Sequence, residues 1–167
     1  MRIGIFGGER PLDDLVDMAR QAEADGFDSF WLPQIFGLDA LCVQTVIGRE
    51  VPRIELGTAV VPTYPRHPVA LAAQSLTVSV ASGGRFTLGI GLSHQVVIEG
   101  MFGYSYDRPA HHMDEYLQAL MPLLKGGTVD FTGDTGTARA GLTVPGASPV
   151  PVVVAAARWS APPSAWS

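Results

Sequence analysis

Residue types and spacing place the candidate chemistry of this chain at its histidines and a glycine pair. His94 follows the run Arg85-Phe86-Thr87-Leu88-Gly89-Ile90-Gly91. An imidazole titrates near neutrality, so at a strand end it is suited to protonating or orienting a small substrate. Gly89 and Gly91 lack a Cβ, which lets backbone approach something flat or phosphorylated. A third glycine and a well-placed acidic partner are missing, so Gly89-Ile90-Gly91 reads as a strand end and not as a dinucleotide fingerprint. His67 precedes Pro68, and a cap or loop contact is favoured there over catalysis. His111 and Glu115 stand four apart at a helix start, a metal-pair spacing. Two ligands without a third favour a solvated helix face. Asp39 reads as a helix cap, Cys42 as a small packed apolar residue, and Trp31 as core or pocket wall with an indole N–H that needs a partner.

These residues must be held by strands and helices that alternate. Arg2–Gly7, Ser29–Pro33, Ile54–Val61, Arg85–Gly91 and Val150–Ala156 read as five strands, nearly continuous in apolar residues. Pro11 sets up a first helix with Leu12, Leu15, Val16, Ala19 and Ala22 on one face, stopped at Gly26. Asp39–Ile47 predicts a weaker helix, Pro68 opens a third through Val80, and Pro109 opens another ending at Gly126-Gly127. The stretch Thr128–Ser148 has little helical pattern and reads as an insertion, with a hairpin as its expected form. Strand–helix alternation means βαβ units and a parallel sheet. Five buried-type strands fit either an open doubly wound sheet or most of a (β/α)₈ barrel.

Composition narrows the class. The chain has 167 residues, 47% hydrophobic and only 16% charged, with a net charge of −5. That charge disfavours nucleic acid as a partner. A single cysteine forbids an internal disulfide, which fits a reducing cytoplasm. The apolar N-terminal stretch is too short for a signal peptide, and no run is long enough to span a membrane.

Ile54-Glu55-Leu56-Gly57-Thr58-Ala59-Val60-Val61-Pro62, then Arg66-His67-Pro68, then Gly83-Gly84-Arg85-Phe86-Thr87-Leu88-Gly89-Ile90-Gly91 form an ordered set. This set resembles the luciferase-like flavin and deazaflavin oxidoreductases over roughly residues 1–156. With Phe30-Trp31-Leu32-Pro33-Gln34 and Asp39-Ala40-Leu41 it is most similar to the branch that uses the deazaflavin coenzyme F420. The resemblance implies a TIM-barrel-type (β/α)₈ fold, with about five of eight strands present, and a cofactor at the C-terminal strand ends. It implies a non-prolyl cis peptide at Ala59–Val60 in a bulge that backs the flat ring, with Thr58 and Thr63 offering hydroxyls nearby. It implies that Gly91, Leu92, Ser93 and His94 flank the ring.

The implied activity is hydride transfer between coenzyme F420 and an organic small-molecule substrate. His94 is the expected proton donor or orienter and Gln34 a polar contact. The alternatives are an FMN-dependent monooxygenase and an inactive remnant. Where many relatives carry an Asp-His pair after strand two, this chain has Gln34-Ile35. After strand five it reads Ala157-Arg158-Trp159-Ser160, without the small-residue turn that helps relatives bind a phosphate tail. The expected organisation is therefore an incomplete barrel over residues 1–157 and a disordered or frame-shifted tail over 158–167. Open sheet edges make self-association an expected way of covering the core.

Overall fold

The computed structural model describes residues 1–155. The tail expectation, and the turn after strand five, lie outside the described residues. The chain order is β1 (Gly4–Phe6), α1 (Leu12–Ala24), β2 (Ser29–Leu32), α2 (Ala40–Glu50), β3 (Glu55–Thr58), β4 (Val61–Pro62) and α3 (Pro68–Ser82). There follow β5 (Phe86–Gly91), α4 (Gln95–Gly100), α5 (Pro109–Leu124), β6 (Thr128–Thr132), β7 (Thr137–Gly141) and β8 (Val152–Val154). All pairings in the main sheet are parallel, with β1, β2, β3 and β5 side by side and β8 on the far edge of β5.

Side-chain parity divides the sheet. Phe30, Leu56, Phe86, Leu88 and Ile90 are buried on the helix side against α1, α2, α3 and α5. The other face carries glycine and Trp31. A Cβ on Gly57 would strike the Trp31 indole, and one on Gly4 would meet both Trp31 and the Ser29 hydroxyl. The Trp31 N–H donates to Ser29 Oγ at 2.8 Å, which satisfies the need for a partner. On this concave face Phe6 is 55% exposed and Val153 50%, as befits a barrel wall that is open on one side.

Two glycines at the base of β5 end α3: Gly83 and Gly84 both take positive φ, the first as its left-handed cap. Arg85 then turns its guanidinium onto the carbonyls of Gly48, Val51 and Ile54, closing the end of α2. The Gly-Gly-Arg motif is thus a structural closure at the N-terminal ends of the strands, opposite the mouth.

Two expectations change. The third strand is not continuous but breaks after Thr58 and resumes as β4. The backbone at the break turns toward β2: Ala59 N–H donates to the Leu32 carbonyl and Gln34 N–H to that of Val60. Cys42 is exposed and not packed, because its position in α2 falls on the solvent side between buried Leu41 and Val43. The short helix α4 has no sequence signal of its own. The insertion is the antiparallel hairpin β6–β7, with Phe131 opposite Ala138. Among the described residues, no helix is long and apolar enough to cross a membrane.

Candidate functional site

The C-terminal ends of β2, β4 and β5 and the N-termini of α2, α3 and α4 surround a cleft of about 830 Å³. Its walls include Gln34, Ile35 and Phe36 after β2, Ala59, Val60 and Pro62 at the strand break, and Ser93, His94 and Val97 after β5. This is the side where a parallel α/β layout places ligands. The Ala59–Val60 peptide is cis.

The floor depends on β5 glycines. A Cβ on Gly91 would come within 2.6 Å of Val60 Cγ2, and one on Gly89 would overlap the Thr58 carbonyl. Thr58 locks the same contact from the other side. Its hydroxyl donates to the Gly89 carbonyl and accepts from the Gly89 N–H, each at 2.9 Å.

The structure separates the expected site residues into two groups. Gln34, Ala59, Val60, Ser93 and His94 line the cleft. Thr58 is fully buried, its hydroxyl committed to β5. Thr63 is also buried and turns to His112 Nε2 at 3.1 Å, beneath the hairpin. Leu92 packs on the core, and Gly91 supports Val60. Thr58, Thr63 and Leu92 therefore shape the floor without presenting their side chains to the cleft.

Ser93 is held at φ 62°, in the left-handed region that non-glycine residues seldom adopt. Tyr106 fixes it by donating its hydroxyl to the Ser93 carbonyl at 3.1 Å. His94 caps α4 through backbone only, so its imidazole has no hydrogen-bond duty at that cap.

Gln34, in contrast, is already engaged. Its Oε1 accepts from Ala40 N–H at 2.9 Å and from Arg66 at 3.3 Å. Arg66 also pairs with Asp39 and donates to Gln74. Asp39 caps α2 by accepting from the N–H groups of Leu41 and Cys42. Burial pushes the Asp39 carboxyl up, but the hydrogen bond from Arg66, those from Cys42 and the Arg66 charge together hold it below its ordinary value. The cap reading of Asp39 and of His67 is met. His67 Nδ1 accepts from Val69 N–H at 3.2 Å, and its Nε2 reaches the Thr137 carbonyl at 3.0 Å. Arg66 stands beside His67 in the sequence, 27 residues from Asp39, and no spacing marks the two as partners.

Behind the cleft, His112 and Tyr116 of α5 join Tyr64 and Tyr106 in an aromatic brace. Tyr64 stacks on His112 at 3.9 Å and on Tyr106 at 5.3 Å. Tyr116 donates to the Arg66 carbonyl at 2.8 Å. Burial lowers the His112 pKa, against a smaller upward pull from Glu115. Burial also raises the Tyr64 phenol, pushed up to about 12 with help from Tyr106 and Asp107. A second, smaller cavity of about 110 Å³ lies between this brace and the hairpin.

Glu115 overturns the solvated-face reading. It is buried, and its carboxylate accepts from Asp134 N–H at 2.8 Å, Thr135 N–H at 2.7 Å and Thr135 Oγ1 at 2.6 Å. The Thr135 hydroxyl, then its N–H, lower the carboxyl most, to about 2. His111 and Asp134 come close to it, so three groups with metal-ligand atoms lie within 4.8 Å. The hairpin turn takes up both Glu115 oxygens, which makes the cluster a fastening for β6–β7.

Residues 2–162 match a family model described as luciferase-like monooxygenase. The chain is 31% identical over 136 residues to 5,10-methylenetetrahydromethanopterin reductase of Methanolobus tindarius, covering 80% of this chain and 41% of that protein. It is similar in structure to an F420-dependent secondary alcohol dehydrogenase solved with an F420-acetone adduct: TM-score 0.77 at 21% identity, over 92% of this chain and 51% of that one. An FMN-bound type II Baeyer-Villiger monooxygenase from Pseudomonas putida superposes with TM-score 0.77 at 17% identity, over 92% of this chain and 51% of that one. This chain thus spans 41% of that curated relative's length and about half of each of these solved chains. These likenesses carry the fold, a wall of a TIM-type barrel.

Proposed function

This chain belongs to the luciferase-like monooxygenase family, and on that premise we propose that its cleft holds a deazaflavin, coenzyme F420, for hydride exchange with an organic substrate. The observation that carries this is the bed at the strand break. Ala59, Val60 and Pro62 present backbone and small apolar groups to one side of the cleft, on a floor that two glycines of β5 make possible. A flat, largely apolar ring system fits such a bed, where no long side chain stands up from the break. The F420 dependence of the secondary alcohol dehydrogenase that superposes on this chain supports the deazaflavin.

When bound, the deazaflavin supplies hydride chemistry at its ring carbon, while the protein binds, orients and shields. Ala59, Val60 and Pro62 back the ring. Ser93 and His94 border it from β5, in a geometry that Tyr106 holds. The free imidazole of His94 donates or accepts a proton at the substrate oxygen. Gln34 acts as a positioning residue, since its amide is tied to Ala40 and Arg66.

A second reading has FMN in the same bed, supported by the FMN-bound neighbour that superposes over 92% of this chain. Absorbance titration with each cofactor separates the two. Saturable F420 binding, with bleaching of the oxidised deazaflavin on addition of a secondary alcohol, supports the first. FMN binding alone, with oxygen uptake by the reduced complex, supports the second and sinks the first.

A further inference from the structure

Beside the cleft lies a groove of about 710 Å³ that shares Pro33, Ile35 and Phe36 with it. Leu15, Leu32 and Val43, each 3% exposed, form its base. The loop from β2 to α2 rises over it with Ile35, Phe36 and Leu38 exposed by 47%, 62% and 49%. Three large apolar side chains open to water within four residues mark a binding surface more than an ordinary loop. The groove volume falls within the range of small-molecule sites.

Charge decides what the groove accepts. Its charged lining consists of Glu9 and Arg10, adjacent, opposite in sign and exposed at the rim. In the adjoining cleft, Arg66 is spent on Asp39, Gln34 and Gln74, and His67 uses both ring nitrogens. Among the described residues lining the groove itself, no buried cation is left for a phosphate or carboxylate.

We propose that this groove is the substrate arm of the site and takes an uncharged, hydrocarbon-rich molecule with one oxygen function directed toward His94. The inference rests on the reading of the cleft as the cofactor bed, and it excludes sugar phosphates and carboxylates as substrates of the described surface. An anion there would give up hydration without gaining a partner.

The test is a nuclear magnetic resonance titration of the whole protein with 2-octanone, octanoate and glucose 6-phosphate. The variants are Phe36→Asp and Leu38→Asp, exposed positions whose replacement leaves the core intact. 2-Octanone is expected to shift the Ile35, Phe36 and Leu38 resonances saturably. Either variant should weaken it by about tenfold or more, and octanoate and glucose 6-phosphate should bind at least about tenfold more weakly. Octanoate or glucose 6-phosphate binding as tightly as the ketone overturns the proposal, as does ketone binding unchanged in both variants. So does a dimer by light scattering that Phe36→Asp converts to monomer, since a second copy then covers the groove. A parallel F420 titration keeps the two readings apart. Ketone binding without cofactor binding refutes the function above and leaves the groove standing, while the reverse refutes the groove alone.

Discussion

Replacing Gly89 with alanine tests the floor of the site at its tightest point. The added Cβ would lie 2.9 Å from the Thr58 carbonyl carbon and closer still to its oxygen. Ordinary non-bonded contacts need more than 3.4 Å, and the overlap with the carbonyl oxygen means that β3 and β5 must part by more than about 1 Å. That shift also strains both hydrogen bonds of the Thr58 hydroxyl to Gly89. Overpacking of this kind costs about 1–3 kcal/mol, and a buried N–H left unsatisfied about 1–3 kcal/mol more. The expected loss is therefore about 3 kcal/mol, since part of the strain is relieved as the bonds lengthen. Urea denaturation followed by circular dichroism measures it. Gly100→Ala is the control, because a Cβ there meets nothing within 4 Å. The control should stay within about 0.5 kcal/mol of the parent. If Gly89→Ala does likewise, the close approach of the two strands is wrong, and with it the cradle assigned to the ring.

Ser93→Val should destabilise by about 1–2 kcal/mol because its φ of 62° is costly for a branched residue, whereas Ser93→Gly should not; thermal denaturation of both variants decides. Because burial depresses the His112 pKa, His112 favours stability fully above 6.5 and progressively loses it as pH falls below that value. Its ring resonances should titrate below 6.5, and a midpoint above that contradicts the burial. For Glu115 the folded pKa of about 2 lies below the ordinary 4.5, so the hairpin fastening is complete above 4.5 and is lost as pH falls through about 2. Amide exchange at Thr135 should accelerate across that interval, and Glu115→Gln should blunt the pH step.

Periodicity and punctuation made the scaffold legible. Pro68 and Pro109 open their helices, Gly26 and Gly83 take the left-handed conformation just past helix ends, and alternating elements give a parallel sheet. What stayed hidden lies in long-range partnership. Nothing in the run Thr58–Pro62 marks the break, because the break is set by hydrogen bonds to Leu32 and Gln34 and by Gly89 on β5. Thr58 and Thr63 are residue types that suit a pocket, yet both hydroxyls find partners behind the floor. Glu115 looked solvated from helix spacing alone; the hairpin that buries it arrives 19 residues later. Arg66 and Asp39 are 27 residues apart, and only the fold makes them a pair that neutralises the cleft.

The proposed function stands on a bed for a deazaflavin ring at the strand break and the β5 mouth. Its most direct test is an equilibrium absorbance titration of the protein with coenzyme F420, with FMN in a parallel cell. Saturable F420 binding is expected, one cofactor per chain, weakening when Gly91→Ala forces Val60 out of place. No saturable change with F420, or binding indifferent to Gly91→Ala, contradicts it.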